Sequence, residues 1–193
     1  MEVNIGISNR HVHLCQKDLE LLFGSGYELK VDHYLSQPGE FASTDRVTIK
    51  TDKGVIPNVR ILGPIRNYTQ VEISKTDAVK LRLNPPVRES GDLENSETII
   101  IEGPLGEIEV ANSCIIASRH IHLTNEAVSK YGLEGIDKVS VKLLGEKGGI
   151  LNNVSLKVND NYAFEMHLDT DDANAHLLNQ GDKGIILIGE KNE

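Results

Sequence analysis

The chain has 193 residues, a net charge of −9 and a pI near 5.3. No Lys/Arg stripe forms, which argues against nucleic acid as a partner. No apolar run is long enough to span a bilayer, so no membrane association is expected. Trp is absent and aromatic residues make up only 4%, so the core must be built from Val, Ile and Leu. Two cysteines, Cys15 and Cys114, make no disulfide framework, and the reducing cytoplasm is the expected setting. The chain opens in a strand pattern, Glu2-Val3-Asn4-Ile5-Gly6-Ile7, rather than in a signal peptide.

A pair of histidines follows, His11 and His13. Gln16 to Phe23 reads as a short helix stopped by Gly24 and Gly26. A polar excursion runs from Tyr27 to Thr44 with turn chemistry at Ser36-Gln37-Pro38-Gly39. Strand patterns resume at Val47-Thr48-Ile49-Lys50 and at Val55 to Leu62, on either side of the turn Asp52-Lys53-Gly54. Gly63 to Ser74 reads as a turn and then a short strand. Thr76-Asp77-Ala78 opens a second helix that ends before Pro85-Pro86. A loop from Ser90 to Ser96 leads to a hairpin, Thr98 to Glu102 and Glu107 to Val110.

The rest of the chain replays this order. Ile7-Ser8-Asn9-Arg10-His11-Val12-His13-Leu14 recurs as Ile116-Ala117-Ser118-Arg119-His120-Ile121-His122-Leu123, 109 residues on. A short helix, Thr124 to Tyr131, follows with Gly132 as its stop. Val139-Ser140-Val141-Lys142 then matches Val47 to Lys50, and Gly149 to Val154 matches Gly54 to Val59 at an offset of 95. The fall in offset is about the size of the Tyr27–Thr44 excursion, which the second half lacks. Such a pattern reads as mainly β: two tandem small β-barrels from an internal duplication, capped by short helices.

Alternate residues of a strand share a face, so His11 and His13 point one way, as do His120 and His122. In the first copy that face is the apolar one of Val3, Ile5 and Ile7. Side-by-side imidazoles suit a metal, although a single pair of this kind is as readily two structural histidines. The offset of 95 proposes a third ligand for each pair, placing Glu72 on His167. The candidate metal sets are therefore His11, His13, Glu72 and His120, His122, His167. Three ligands with a fourth position open are the pattern of catalytic zinc.

Arg66, just after Gly63-Pro64, can grip a phosphate or carboxylate at two points; a solvated surface arginine is the alternative. Arg10 and Arg119 point to the opposite strand face and are expected to make structural ion pairs. The same offset sets Asp77 on Asp172. His33 and His176 are expected to have no special role, and Cys114 to lie in the core. Cys15 corresponds to Thr124, so it reads as a helix-start residue rather than a ligand. No nucleophile elbow, P-loop or dinucleotide fingerprint is present.

These motifs, together with Leu35-Ser36-Gln37-Pro38-Gly39, Thr69 to Ser74, Val87 to Leu93 and Glu165 to Asp171, resemble the PduL-type phosphate propanoyltransferases. These are phosphotransacylases associated with bacterial microcompartments. The resemblance spans about Val3 to Leu187. It implies exchange between acyl phosphate plus coenzyme A and acyl-CoA plus phosphate, in the propanoyl or acetyl class, with coenzyme A as a substrate. It implies two zinc ions per chain, held by the two candidate sets, and Arg66 as the phosphate-binding arginine. It also implies that residues 10–117, with the excursion at about 24–44, form one barrel, and that residues 118–193 join strand 1–9 in the other. Expected partners are coenzyme A and a short-chain acyl phosphate, with a second copy or other microcompartment core enzymes as protein partners. The chain begins ten residues before His11, without the N-terminal extension of encapsulated members. The cytoplasm is the first expectation and the microcompartment lumen the second.

The mechanism so implied is direct attack of a zinc-activated coenzyme A thiolate on the acyl carbonyl in a ternary complex, with Arg66 on the phosphate. A covalent route through Cys15 would instead give ping-pong kinetics. Two other classes share the ligand pattern. A zinc-dependent hydrolase would turn over without coenzyme A. A non-catalytic barrel module would tolerate replacement of all six ligands.

Overall fold

The computed structural model describes residues 1–188; the last five residues of the second expected barrel lie outside the described part. The chain divides into two compact units, one formed by Asn9–Ala117 and the other by Met1–Ser8 with the chain from Ser118 onward.

The Asn9–Ala117 unit holds β2 (His11–His13), α1 (Gln16–Phe23), β3 (Val31–Tyr34), β4 (Phe41–Lys50), β5 (Val55–Gly63), β6 (Gln70–Glu72), α2 (Lys75–Leu81), β7 (Val87–Arg88), β8 (Glu97–Gly103) and β9 (Gly106–Ala117). Six strands close a barrel in the order β4-β5-β2-β6-β9-β8, with β8 pairing back onto β4. β3 and β7 are additions at β4 and β9. The other unit holds β1 (Glu2–Ser8), β10 (His120–Leu123), α3 (Asn125–Tyr131), β11 (Lys138–Leu143), β12 (Gly149–Val158), β13 (Glu165–Asp169), α4 (Thr170–Ala175) and β14 (Lys183–Leu187). Its barrel closes in the order β1-β13-β10-β12-β11-β14. Closure removes the sheet edges that would otherwise invite pairing with other chains.

The two barrels share one pattern. The His-bearing strand lies parallel to one neighbour and antiparallel to the other: β5 and β6 for β2, β12 and β13 for β10. Asn58 on β5 and Asn153 on β12 both take the left-handed conformation, at φ 59°, which Asn tolerates better than β-branched residues. The strand before each His pair is exchanged. β1 leads into β2 yet belongs to the barrel of β10, and β9 leads into β10 yet belongs to the barrel of β2. A sequence repeat cannot announce such an exchange, because each strand keeps its place in the repeat.

Each barrel has its own aliphatic core, as a chain without Trp requires. Val12, Leu14, Ile49, Ile61 and Ile101 lie in one, with Leu19 and Leu22 of α1 packed onto it. Val3, Ile5, Ile121, Val141, Met166 and Leu168 lie in the other. Helix starts are capped alike: Ser74 accepts from the Asp77 amide, Thr124 from Ala127 and Asp169 from Asp172. Cys15 occupies the corresponding place before α1 without a side-chain cap bond.

The excursion is more ordered than its composition suggests. It contains β3 and the start of β4, and its strand residues Val31 to Tyr34 are exposed, so no apolar alternation marks them. β9 also runs to Ala117, beyond the expected end of the hairpin at Val110, because its last residues pair with β6 and β7.

Candidate metal centres

In the first barrel, β2 and β6 run antiparallel with His11 opposite Glu72 and His13 opposite Gln70. Antiparallel neighbours in register share a face, so these four side chains form a square. His11, His13 and Glu72 can present ligand atoms that all lie within 4.8 Å of one another. Both histidines are buried.

His11 Nδ1 donates to the Asn9 carbonyl at 2.8 Å, because that oxygen can only accept, and Nε2 is left as the nitrogen facing the site. Nε2 lies 3.5 Å from Glu72 Oε2. Donors on a tetrahedral zinc are about 3.4 Å apart, so this spacing already suits the ion. The buried Nδ1 of His13 has no hydrogen-bond partner. Burial, then His11 and Arg66, hold the His13 imidazole well below its ordinary range, in the neutral form that binds metal.

The second barrel repeats the square with two exchanges, His167 for Glu72 and Glu165 for Gln70. His120 stands opposite His167, and His122 opposite Glu165. The rings of His120, His122 and His167 lie 4.7–5.1 Å apart by centroid. His120 Nδ1 donates to the Ser118 carbonyl at 2.8 Å, the counterpart of His11 with Asn9. His122 Nδ1 is buried without a partner, the counterpart of His13, and its ring stacks on Tyr162 at 4.0 Å. Burial pushes His120 down to about 2 and His122 to about 3, with Lys157 and His167 adding to both shifts. The first set therefore fits a metal ion, and the second brings three imidazoles together, with His120 and His122 kept neutral by burial and the buried His122 Nδ1 left without a partner.

Arg66 lies in the first barrel, its amide bonded to the Leu14 carbonyl beside the end of β2. Its Nη1 donates to Ser90 Oγ at 3.0 Å and its Nη2 lies 3.7 Å from Glu40. Burial holds the Glu40 carboxyl above its usual range even beside Arg66. The turn carrying Arg66 leaves β5 at Gly63, where a Cβ would meet the Phe41 ring at 2.2 Å. Only glycine lets the two strands approach this closely.

Arg10 and Arg119 make the ion pairs expected of them, with Asp77 and Asp172. Cys114 is buried, and burial raises its thiol to about 12. Cys15 is half-buried, with Thr69 Oγ1 3.6 Å from its sulfur. His33 pairs with Asp32 at the surface, and His176 Nδ1 donates to the Lys147 carbonyl. Gln70, Ser90, Glu40, Glu165 and Tyr162 stand beside the candidate site residues without having been singled out for a role; Gln70, Ser90 and Glu165 lie in segments that carry the family resemblance. Gln70 and Glu165 did carry a signal: each lies two residues before a proposed ligand, and the offset of 95 pairs them.

A two-barrel β protein with a histidine-rich square in each barrel is the class that fold and sites define. The family model described as phosphate propanoyltransferase matches residues 4–179. The phosphate propanoyltransferase of Thermotoga maritima is 50% identical over 186 residues, covering 95% of this chain and 88% of its own. That of Priestia megaterium is 47% identical over 189 residues, covering 98% and 87%. That of Rhodopseudomonas palustris is 42% identical over 190 residues, covering 98% and 83%. This chain belongs to the phosphate propanoyltransferase family, and is an acyltransferase.

Proposed function

We propose that the chain moves a short acyl group, of the propanoyl or acetyl class, between phosphate and the thiol of coenzyme A, with one zinc ion held in each barrel. The observation that carries the metal reading is the convergence of His11, His13 and Glu72, whose ligand atoms lie within 4.8 Å of one another. The relatives' printed names support the acyl and phosphate halves of the reaction.

His11, His13 and Glu72 would hold the first ion, and His120, His122 and His167 the second. Zinc supplies Lewis acidity that lowers the pKa of a thiol it binds. Asn9 fixes the imidazole of His11, so this ligand needs little reorganisation. Arg66 binds the phosphoryl oxygens in the same barrel. As the thiolate forms the C–S bond, the C–O bond to phosphate breaks with its electron pair on the leaving oxygen. The Arg66 guanidinium stabilises that growing charge. Cys15 is held by Thr69 and is not needed as a nucleophile, so transfer is direct. The family reading sets the enzyme in the cytoplasm or a microcompartment lumen, with a second copy or other core enzymes as partners.

Initial velocities measured while both substrates vary test the ternary complex. Intersecting double-reciprocal lines, with Cys15→Ala active, are expected. Parallel lines with an inactive Cys15→Ala would replace direct transfer by an acyl-enzyme.

A further inference from the structure

Gln70 is fully buried and makes three side-chain hydrogen bonds. Its Nε2 donates to Glu72 Oε1 at 2.5 Å and to Ser90 Oγ at 2.8 Å. Its Oε1 accepts from the Gly91 amide at 2.8 Å. Ser90 Oγ also accepts from Arg66 Nη1. One carboxamide therefore joins the carboxylate of the first centre to the turn that holds Arg66.

We propose that Gln70 is a positioning residue for this centre, an inference that rests on reading His11, His13 and Glu72 as zinc ligands. By engaging Glu72 Oε1, Gln70 leaves Oε2 as the oxygen turned toward His11 Nε2. The carboxylate is thereby set to offer one oxygen, in one orientation, to the ion. Through Ser90 the same amide fixes the distance between the metal ligand and the Arg66 guanidinium.

The second barrel supplies an independent comparison. There the ligand opposite His120 is His167, and the residue in Gln70's place is Glu165, whose Oε2 lies 3.3 Å from His167 Nε2. A donor stands beside the carboxylate ligand and an acceptor beside the imidazole ligand. Gly6 makes room for this arrangement, since a Cβ there would lie 3.0 Å from the Glu165 carboxyl. The residue two before the ligand matches the ligand's chemistry in both barrels, as an orienting partner must.

Gln70→Met keeps length and burial while removing the amide. Wild-type, His11→Ala and Gln70→Met proteins are loaded with zinc and titrated with a chromophoric chelator, and circular dichroism and Tm are recorded. Wild type should hold two ions, and His11→Ala one. Gln70→Met should bind one ion about 10- to 100-fold more weakly, leave the other unchanged, and show a raised KM for phosphate. If His11→Ala keeps two ions, the reading of the centre is at fault. If His11→Ala loses one while Gln70→Met binds both as tightly as wild type, the role of Gln70 is overturned. Should Gln70→Met fail to fold, Ser90→Ala, in a half-buried loop, carries the test. It removes one anchor of Gln70 and should weaken the first ion about three- to tenfold, the worth of one neutral hydrogen bond. Unchanged affinity there overturns the proposal too.

Discussion

Arg10 Nε lies 2.9 Å from both carboxylate oxygens of Asp77, tying the start of β2 to the first turn of α2. Arg119 and Asp172 repeat the pair at 2.6 Å between the start of β10 and α4. The two pairs differ in burial: the Asp77 side chain is 5% exposed and the Asp172 side chain 22%. Asp77→Asn is therefore expected to cost about 1–2 kcal/mol and Asp172→Asn less than about 1 kcal/mol. Urea denaturation of the two variants checks the order. Equal losses would mean that burial does not govern these pairs.

Arg66→Ala should remove about 2–4 kcal/mol of transition-state stabilisation, a thirty- to thousandfold loss in kcat/KM. Arg66→Lys keeps the charge but not the planar fork, and most of the loss should remain. Steady-state kinetics with acyl phosphate and coenzyme A decides this. An unchanged rate in Arg66→Ala removes the residue from the mechanism.

The buried imidazoles make the stability of metal-free protein depend on pH. His120 and His122 sit near 2 and 3 when folded, against about 6.5 in an unfolded chain. Between these values the unfolded chain binds more protons, so stability falls as pH drops below about 6.5 and keeps falling toward pH 3. Above pH 6.5 both forms are neutral and this contribution is fully present. Denaturation of chelated protein at pH 7.5, 6 and 5 should show a steady decline. His122→Phe, which cannot take up a proton, should show a shallower one.

Gly63→Ala puts a methyl into the Phe41 ring, and a cost of about 1–3 kcal/mol is expected from overpacking. Because Gly63 leads into the turn that carries Arg66, activity should fall alongside stability. Phe41→Leu in the same chain should restore part of both. A single variant as stable as wild type would show that Phe41 can move aside freely.

Much of the site was legible because the chain states it twice. A lone histidine pair is ambiguous, but the pair recurs 109 residues on, and the later offset of 95 marks Glu72 and His167, which strand register then sets opposite His11 and His120. Arg10 and Arg119 were legible as ion-pairing residues because they precede the histidine pairs and point to the opposite strand face. What escaped is what depends on tertiary approach. Ser90 reaches Gln70 and Arg66 from a loop about 20 residues away, and Glu40 reaches Arg66 from the end of the excursion. No local pattern encodes such meetings. The exposed strand β3 escaped for a related reason: nothing apolar covers it, so it leaves no alternation to read.

The most direct test of the account is thioester formation from propanoyl phosphate, with and without coenzyme A, on chelator-stripped protein and on the same protein restored with zinc. The account predicts acyl-CoA only when both zinc and coenzyme A are present, and no phosphate release in the absence of coenzyme A. Equal acyl-CoA formation by stripped protein, or zinc-dependent phosphate release that ignores coenzyme A, would contradict it.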